Sequence, residues 1–198
     1  MSNLLVNMRD QNFVLFEQLE IEKLFTTEKY KDFSKDDVVM MMNEAEKMAL
    51  NVILPTYELG DKQGCSFKDG KVTVPECFRD AYKKYCESGW LAQAQPVDVG
   101  GQGLPFIAAT ANLEPCYAAN FAFLMYPGLT HGAAALILHH GTEALQKKYM
   151  YKMFAGEWGG TMCLTEPGAG TDVGALRTSA KRLPHGKFLI SGTKCFIS

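Results

Sequence analysis

Over most of the chain the hydrophobic positions recur with helical spacing, and after Gly156 the period changes to that of strands. Residues 34–53 carry the clearest pattern: Val38, Met41, Met42, Ala45, Ala49, Val52 and Ile53 fall on one helical face. Ser34 followed by Asp37 resembles an N-terminal capping arrangement. Of Met40, Met41 and Met42, two lie on the apolar stripe, so the run reads as core packing rather than an adaptable binding surface. Residues 13–24 predict a short helix and residues 60–70 a loop. Pro75 suits the first turn of a helix reaching Glu87, with Phe78, Tyr82 and Tyr85 inward and Gly89 ending it. Residues 96–105 (PVDVGGQGLP) hold three glycines and two prolines, which predicts an ordered turn. Helical patterns resume over 105–119, 129–140 and 142–155. In the second, Leu129, Ala133, Leu136, Ile137 and His140 share a face; in the third, Leu145, Tyr149 and Met153 do, with Lys147, Lys148 and Lys152 outward.

Beyond Gly156, residues 161–164 predict a short strand. Residues 175–183 and 187–191 predict a hairpin about Pro184, His185 and Gly186, and residues 194–198 the start of another strand. Helices followed by strands point to an α+β fold, mostly α, or to two separate domains. About 40 residues of β structure bury too little surface to stand alone, so the pattern reads as a helical module followed by an unfinished sheet, a fragment of something larger.

Composition narrows the function classes. Among 198 residues, 20 Lys+Arg oppose 22 Asp+Glu for a formal net charge of -2. That balance argues against nucleic acid as the main partner, since phosphate binding needs a basic face. No run reads as long and apolar enough to span a bilayer, and the N-terminus lacks a signal peptide's order. Six cysteines without CxxC spacing predict reduced, buried thiols and a cytoplasmic protein, not a zinc site or a disulfide framework.

Residues 161–175, TMCLTEPGAGTDVGA, are the most unusual segment: a short strand runs into a turn of glycines and small polar residues that exposes backbone N–H groups. Gly168, Gly170 and Gly174 are one residue too widely spaced for the dinucleotide fingerprint, and no Gly-Lys-Ser/Thr follows, so neither a Rossmann site nor a P-loop is expected. Glu166 and Asp172 flank the turn, where they could form an acid/base pair or accept from loop N–H groups. His131, His139 and His140 lack an i, i+4 pair and read as packed or surface histidines. Lys181 and Arg182 read as solvated, and Trp90 and Trp158 as packing anchors.

CLTEPGAGTDVGA resembles the signature of the acyl-CoA dehydrogenases, flavoproteins that desaturate acyl-CoA thioesters between Cα and Cβ. Residues 141–157, 96–103 (PVDVGGQG) and 191–198 (SGTKCFIS) are similar, in order and spacing, to that family's pre-signature helix, glycine-rich loop and flavin-contacting strand. The long N-terminal segment is similar to the large bacterial branch that includes 3-methylmercaptopropionyl-CoA dehydrogenase. The resemblance implies three parts: an N-terminal extension and first long helix over 1–60, the remainder of a helical domain over 61–158, and the start of a truncated middle β domain over 159–198. It implies FAD as cofactor and oxidation of an acyl-CoA to the 2,3-enoyl-CoA in fatty acid metabolism. The catalytic base would lie outside these residues, so that Glu166 and Asp172 would be structural acceptors of loop N–H groups rather than an acid/base pair, and the chain alone would be inactive. It also implies an electron-transfer protein as acceptor and a homo-oligomer. By the resemblance Met162, Leu164 and Thr165 would face the flavin, with the Thr165 hydroxyl or N–H near N5 or O4. Gly170 and Thr171 would border the cofactor, Thr171 also meeting the CoA moiety where serine is frequent. Phe196, Ile197 and Ser198 would line the isoalloxazine; the family commonly has tryptophan and threonine in place of Phe196 and Ser198, and Phe lacks the indole N–H. The rival expectation is a non-catalytic helical module for binding or assembly.

Overall fold

A computed structural model describes residues 5–197 of the chain. A short helix, α1 (Met8–Asn12), leads through a wide turn (Phe13–Gln18) and a tight one (Ile21–Thr26). The helix expected over 13–24 is therefore broken, at Glu20, whose φ of 48° is left-handed. Helix α2 (Lys35–Met48) opens on a full capping box: Asp37 N–H donates to Ser34 Oγ, and Ser34 N–H to the Asp37 carboxylate. Its predicted stripe is the buried one at Val38, Met42 and Ala45, and Met40 is exposed.

The helical path does not stop near residue 53. Pro55 has no N–H and its ring would crowd the carbonyl four residues back. The chain answers with a π turn over Ala49–Ile53, in which Leu54 N–H donates to Ala49 O at 2.8 Å, and Pro55 then opens α3 (Pro55–Gln63). The loop expected over 60–70 is accordingly helix to Gln63, then a hairpin of β1 (Ser66–Lys68) and β2 (Lys71–Thr73), with Phe67 opposite Val72. Helix α4 (Cys77–Glu87) buries Phe78, Ala81 and Tyr85 and ends at Gly89, φ 76°.

Helices α5 (Phe106–Ala119) and α6 (Phe121–His140) follow one another through Asn120, whose side chain accepts from Phe123 N–H. Helix α6 starts eight residues before the expected 129 and buries a different face. Phe123, Leu124, Pro127, Thr130 and Ala134 point inward, whereas Leu136 and His140 are exposed. At 20 residues and a mean hydropathy of 1.5 it is long and apolar enough to cross a membrane, contrary to the expectation; 28% of that stretch is buried against the rest of the chain. Glu143–Leu145 (α7) and Tyr151–Phe154 (α8) flank another π turn, Gln146–Met150. The extra residue rotates the phase, so Met150, Met153 and Phe154 are inward while Leu145 is exposed.

Three apolar clusters hold the helices together. One joins Ala45 and Ile53 to Phe78, Tyr85, Cys116 and Phe123, another sets Leu15 and Phe16 against Val38, Met42 and Leu104, and a third centres on Val99, Ala134, Met150 and Phe154. Trp90 is buried as expected, but Trp158 is half-exposed, under Lys152 Nζ at 4.4 Å from the ring. All six cysteines are free thiols; Cys116 is buried, whereas Cys65 and Cys163 are exposed, against the expectation of burial.

Past the helices, β3 (Ser179–Arg182) pairs antiparallel with β4 (Phe188–Ser191) around Pro184, His185 and Gly186, as predicted though shorter. Residues 161–164 and 194–197 form no strands. A strand needs a partner along its whole edge, and among the described residues the one backbone bond that ties these stretches together is Cys195 N–H to the O of Thr165, just past the first segment, at 3.0 Å. The mostly helical α+β architecture is the one expected.

Candidate functional site

Between α4, α6, the β1–β2 hairpin and the segment leaving the helices at 156–160 lies a groove of about 620 Å³. Val72, Phe78, Tyr82, Tyr126, Leu129 and Ile197 supply much of its wall, and the exposed Arg79 and Glu157 stand among its few charged lining residues. Sequence reasoning turned Phe78 and Tyr82 inward but missed the hairpin side. The signal was there: Asp69-Gly70, flanked by Phe67 and Val72, is a two-residue hairpin turn, and both turn residues take positive φ, 51° and 75°.

A buried polar seam runs along one wall. The Tyr82 hydroxyl faces the Thr130 and Cys86 side chains, and burial pushes its phenol up to about 12. Thr130 Oγ1 also accepts from Gly160 N–H at 3.0 Å. A Cβ on Gly160 would fall 2.7 Å from Ala133 Cβ and 2.8 Å from Met153 Cε, so a residue without one is needed for the chain to pin itself against α6. Next door, Gly156 takes φ 75° and sits where a Cβ would meet Cys86 Sγ at 2.3 Å. The two glycines direct the chain out of the helices and into the 161–165 segment beside the groove.

The turn that follows is organised by one carboxylate. Glu166 is 7% exposed and accepts from Arg177 N–H (2.7 Å), Thr178 N–H (2.9 Å), Thr178 Oγ1 and Lys194 Nζ (2.9 Å). The Thr178 hydroxyl, the Arg177 N–H and the Lys194 ammonium together hold its carboxyl down at about 2. Asp172 accepts from Gly174 N–H. Both carboxylates therefore act as acceptors of loop N–H groups. Lys194 Nζ reaches on to Leu164 O at 2.9 Å, and Thr165 O takes the Cys195 N–H, so 164–165 is clamped beside 194–195.

That clamp decides where the expected site residues lie. Met162, Leu164, Phe196 and Ile197 are all exposed on the two clamped segments, and Thr165 is half-buried between them. Gly170 and Thr171 are exposed on the turn beyond Ala169, and they do not line the groove. Ile197 does line it, which brings the clamp and the groove together. Ser198 lies outside the described residues. Uncovered apolar side chains beside a threonine hydroxyl suit a flat ligand with an apolar face and a polar edge. His131 is packed on Phe154 with Nδ1 2.8 Å from Leu91 O, and His139 and His140 are exposed.

Comparison with known proteins gives the arrangement its context. Residues 35–157 match the family described as "Acyl-CoA dehydrogenase, N-terminal domain". The chain is 37% identical over 203 residues to butyryl-CoA dehydrogenase of Syntrophomonas wolfei, covering 99% of this chain and 33% of that protein. It is 32% identical over 191 residues to 3-methylmercaptopropionyl-CoA dehydrogenase of Ruegeria pomeroyi, covering 96% of this chain and 32% of that protein. An acyl-CoA dehydrogenase from Bacillus anthracis, solved in complex with FAD, superposes with a TM-score of 0.66 at 26% identity, over 84% of this chain and 27% of its own. The chain thus spans about a third of the length of the relatives it matches. With most of the helical region matched, it belongs to the acyl-CoA dehydrogenase family.

Proposed function

We propose that these residues form the N-terminal third of an FAD-dependent acyl-CoA dehydrogenase, which removes a proton from Cα and a hydride from Cβ of an acyl-CoA to leave the 2,3-enoyl thioester. The observation that carries the reading is the convergence of an apolar groove with the clamped 164–165 and 194–197 segments at Ile197. Within the chain, residues 1–60 are the extension and first long helix, 61–158 complete the helical domain, and 159–198 open the middle β domain. Support for FAD comes from the chemistry of the clamp: Met162, Leu164, Phe196 and Ile197 present an apolar surface, and Thr165 a hydroxyl. FAD, when bound, supplies the two-electron acceptor for the β-hydride.

The chain's own residues do the rest of what can be assigned here. The groove takes the acyl chain and excludes water from it, Thr165 offers a hydrogen-bond donor at the ring edge, and Gly170 and Thr171 border the cofactor, Thr171 also contacting CoA. Glu166, held at about 2 and saturated with donors, is a poor proton acceptor. No catalytic residue is assigned among these residues; the base comes from a segment beyond them, and the 198-residue chain by itself does not turn over. A reoxidising partner, in this reading an electron-transfer protein, is required by the redox balance. The whole enzyme is a homo-oligomer, and six free thiols favour the cytoplasm.

The test is to purify the full-length protein and record its visible flavin spectrum before and after anaerobic addition of butyryl-CoA. A yellow protein bleached by the thioester is expected, with no acyl-CoA oxidation from the 198-residue chain under the same conditions. A colourless, folded full-length protein would favour a non-catalytic helical module instead.

A further inference from the structure

The groove does not end on a smooth wall. A second cavity of about 270 Å³ lies behind it, between α3 and α4, and the two cavities share Cys65, Phe78, Ala122 and Tyr126. Phe78 and Tyr126 meet edge to face, ring centroids 6.0 Å apart, and Phe78 also stands edge-on to Phe123 at 5.7 Å. Gly60 lines the rear cavity but not the groove. A Cβ there would lie 2.6 and 2.7 Å from Cε1 and Cζ of Phe78, so the ring holds its position because residue 60 has no side chain.

On the reading that the groove takes the acyl chain, we propose that Phe78 and Tyr126 form the partition that sets acyl-chain length, with Gly60 fixing where that partition stands. The rear cavity is the space a longer chain would enter if the partition were opened. Its walls are not purely apolar, since Asp61 and Asn120 lie among them, so the wild-type partition also keeps a hydrocarbon tail away from polar groups. Removing the Phe78 ring joins the two cavities. Adding a methyl group at residue 60 drives the ring the other way, toward the groove, and shortens it. A buried methylene contributes enough to discriminate substrates by about tenfold or more in a well-fitted pocket.

Full-length wild type and the variants Phe78→Ala, Tyr126→Ala and Gly60→Ala are compared on straight-chain acyl-CoA thioesters from butyryl to palmitoyl. The readouts are kcat/KM for each and, by calorimetry, equilibrium binding of the same chain lengths as non-oxidisable thioether analogues. Phe78→Ala and Tyr126→Ala are expected to raise the ratio of long-chain to short-chain kcat/KM about tenfold, and Gly60→Ala to lower it about tenfold, with binding shifting in the same sense. Ala is the better helix former at residue 60, so Gly60→Ala carries the test if the larger deletion does not fold. A uniform loss of kcat/KM at unchanged chain-length preference in active variants overturns the partition alone. A wild-type protein that neither binds nor oxidises any of the thioesters overturns the groove reading and the partition with it.

Discussion

In the helical region a side chain such as Phe123 or Ile53 is wholly enclosed, met by residues from several helices, whereas after Ala155 the buried residues among those described are Glu166 and Ala169. The two regions are shaped by different forces. Residues 35–157 bury apolar faces against one another, and their order follows from the area removed from water. Residues 159–197 hold their turn through one carboxylate and its donors, while Phe188, Leu189, Ile190 and Phe196 stand exposed. A helical layer of this kind can close a core within 120 residues or so. A two-stranded ribbon has no second layer to cover either face. What the contrast teaches is that, Ile197 at the groove aside, the apolar residues of the C-terminal part are not spent on packing against the helices.

The largest effect should come from the helical core. Phe123→Ala removes a ring packed edge-on against both Phe78 and Tyr85, and is expected to cost about 3–5 kcal/mol of stability. Urea denaturation followed by far-ultraviolet circular dichroism checks it. A loss under about 1 kcal/mol would mean that the helices derive their stability elsewhere.

The C-terminal turn should respond instead to protonation. Glu166 is held at about 2 against an ordinary value of 4.5, so its folded-state value is the lower one. Its contribution to the turn is therefore complete above about 4.5 and is lost as the pH falls from there toward 2. The amide resonances of Arg177 and Thr178, which donate to this carboxylate, are expected to shift through that window while amides of the buried helical core, such as those of Phe123 and Leu124, stay put. In Glu166→Gln they should already sit at their low-pH positions at neutral pH. Amides indifferent to both changes would assign the turn's shape to its backbone alone.

How far each region was legible in the sequence follows the same division. The stripe Val38–Met42–Ala45 and the Ser34/Asp37 box read directly, because periodicity and capping are local. The π turns at 49–53 and 146–150 did not: an extra residue per turn rotates every later side chain, and only the need to accommodate Pro55 hinted at the first. In α6 the stripe through Leu136 and His140 was plausible on spacing, yet packing against α4 and α8 selected the face with Thr130, whose hydroxyl has Gly160 to bond. The expected strands at 161–164 and over 194–197, the described part of 194–198, do not form for a non-local reason, since a strand is defined by its neighbour and none flanks them among the described residues. Glu166 is the loop acceptor that the family resemblance implies, since the residues alone left an acid/base pair open and only the resemblance puts the base elsewhere.

The smallest effect is the one that separates the regions most cleanly. Ile190 is 70% exposed on β4, opposite Ala180, and nothing in the described residues covers it. In the 198-residue chain, Ile190→Thr should change stability by no more than about 0.5 kcal/mol, because a β-branched residue is kept and little apolar area is lost. In the full-length protein the same substitution should cost about 1–3 kcal/mol if a further part of the β domain packs on that face. Paired denaturation curves for the two lengths measure the difference. Equal, near-zero costs in both would mean that the face of β4 bearing Ile190 stays open to solvent even in the longer protein, and that its apolar side chains have some other surface to meet.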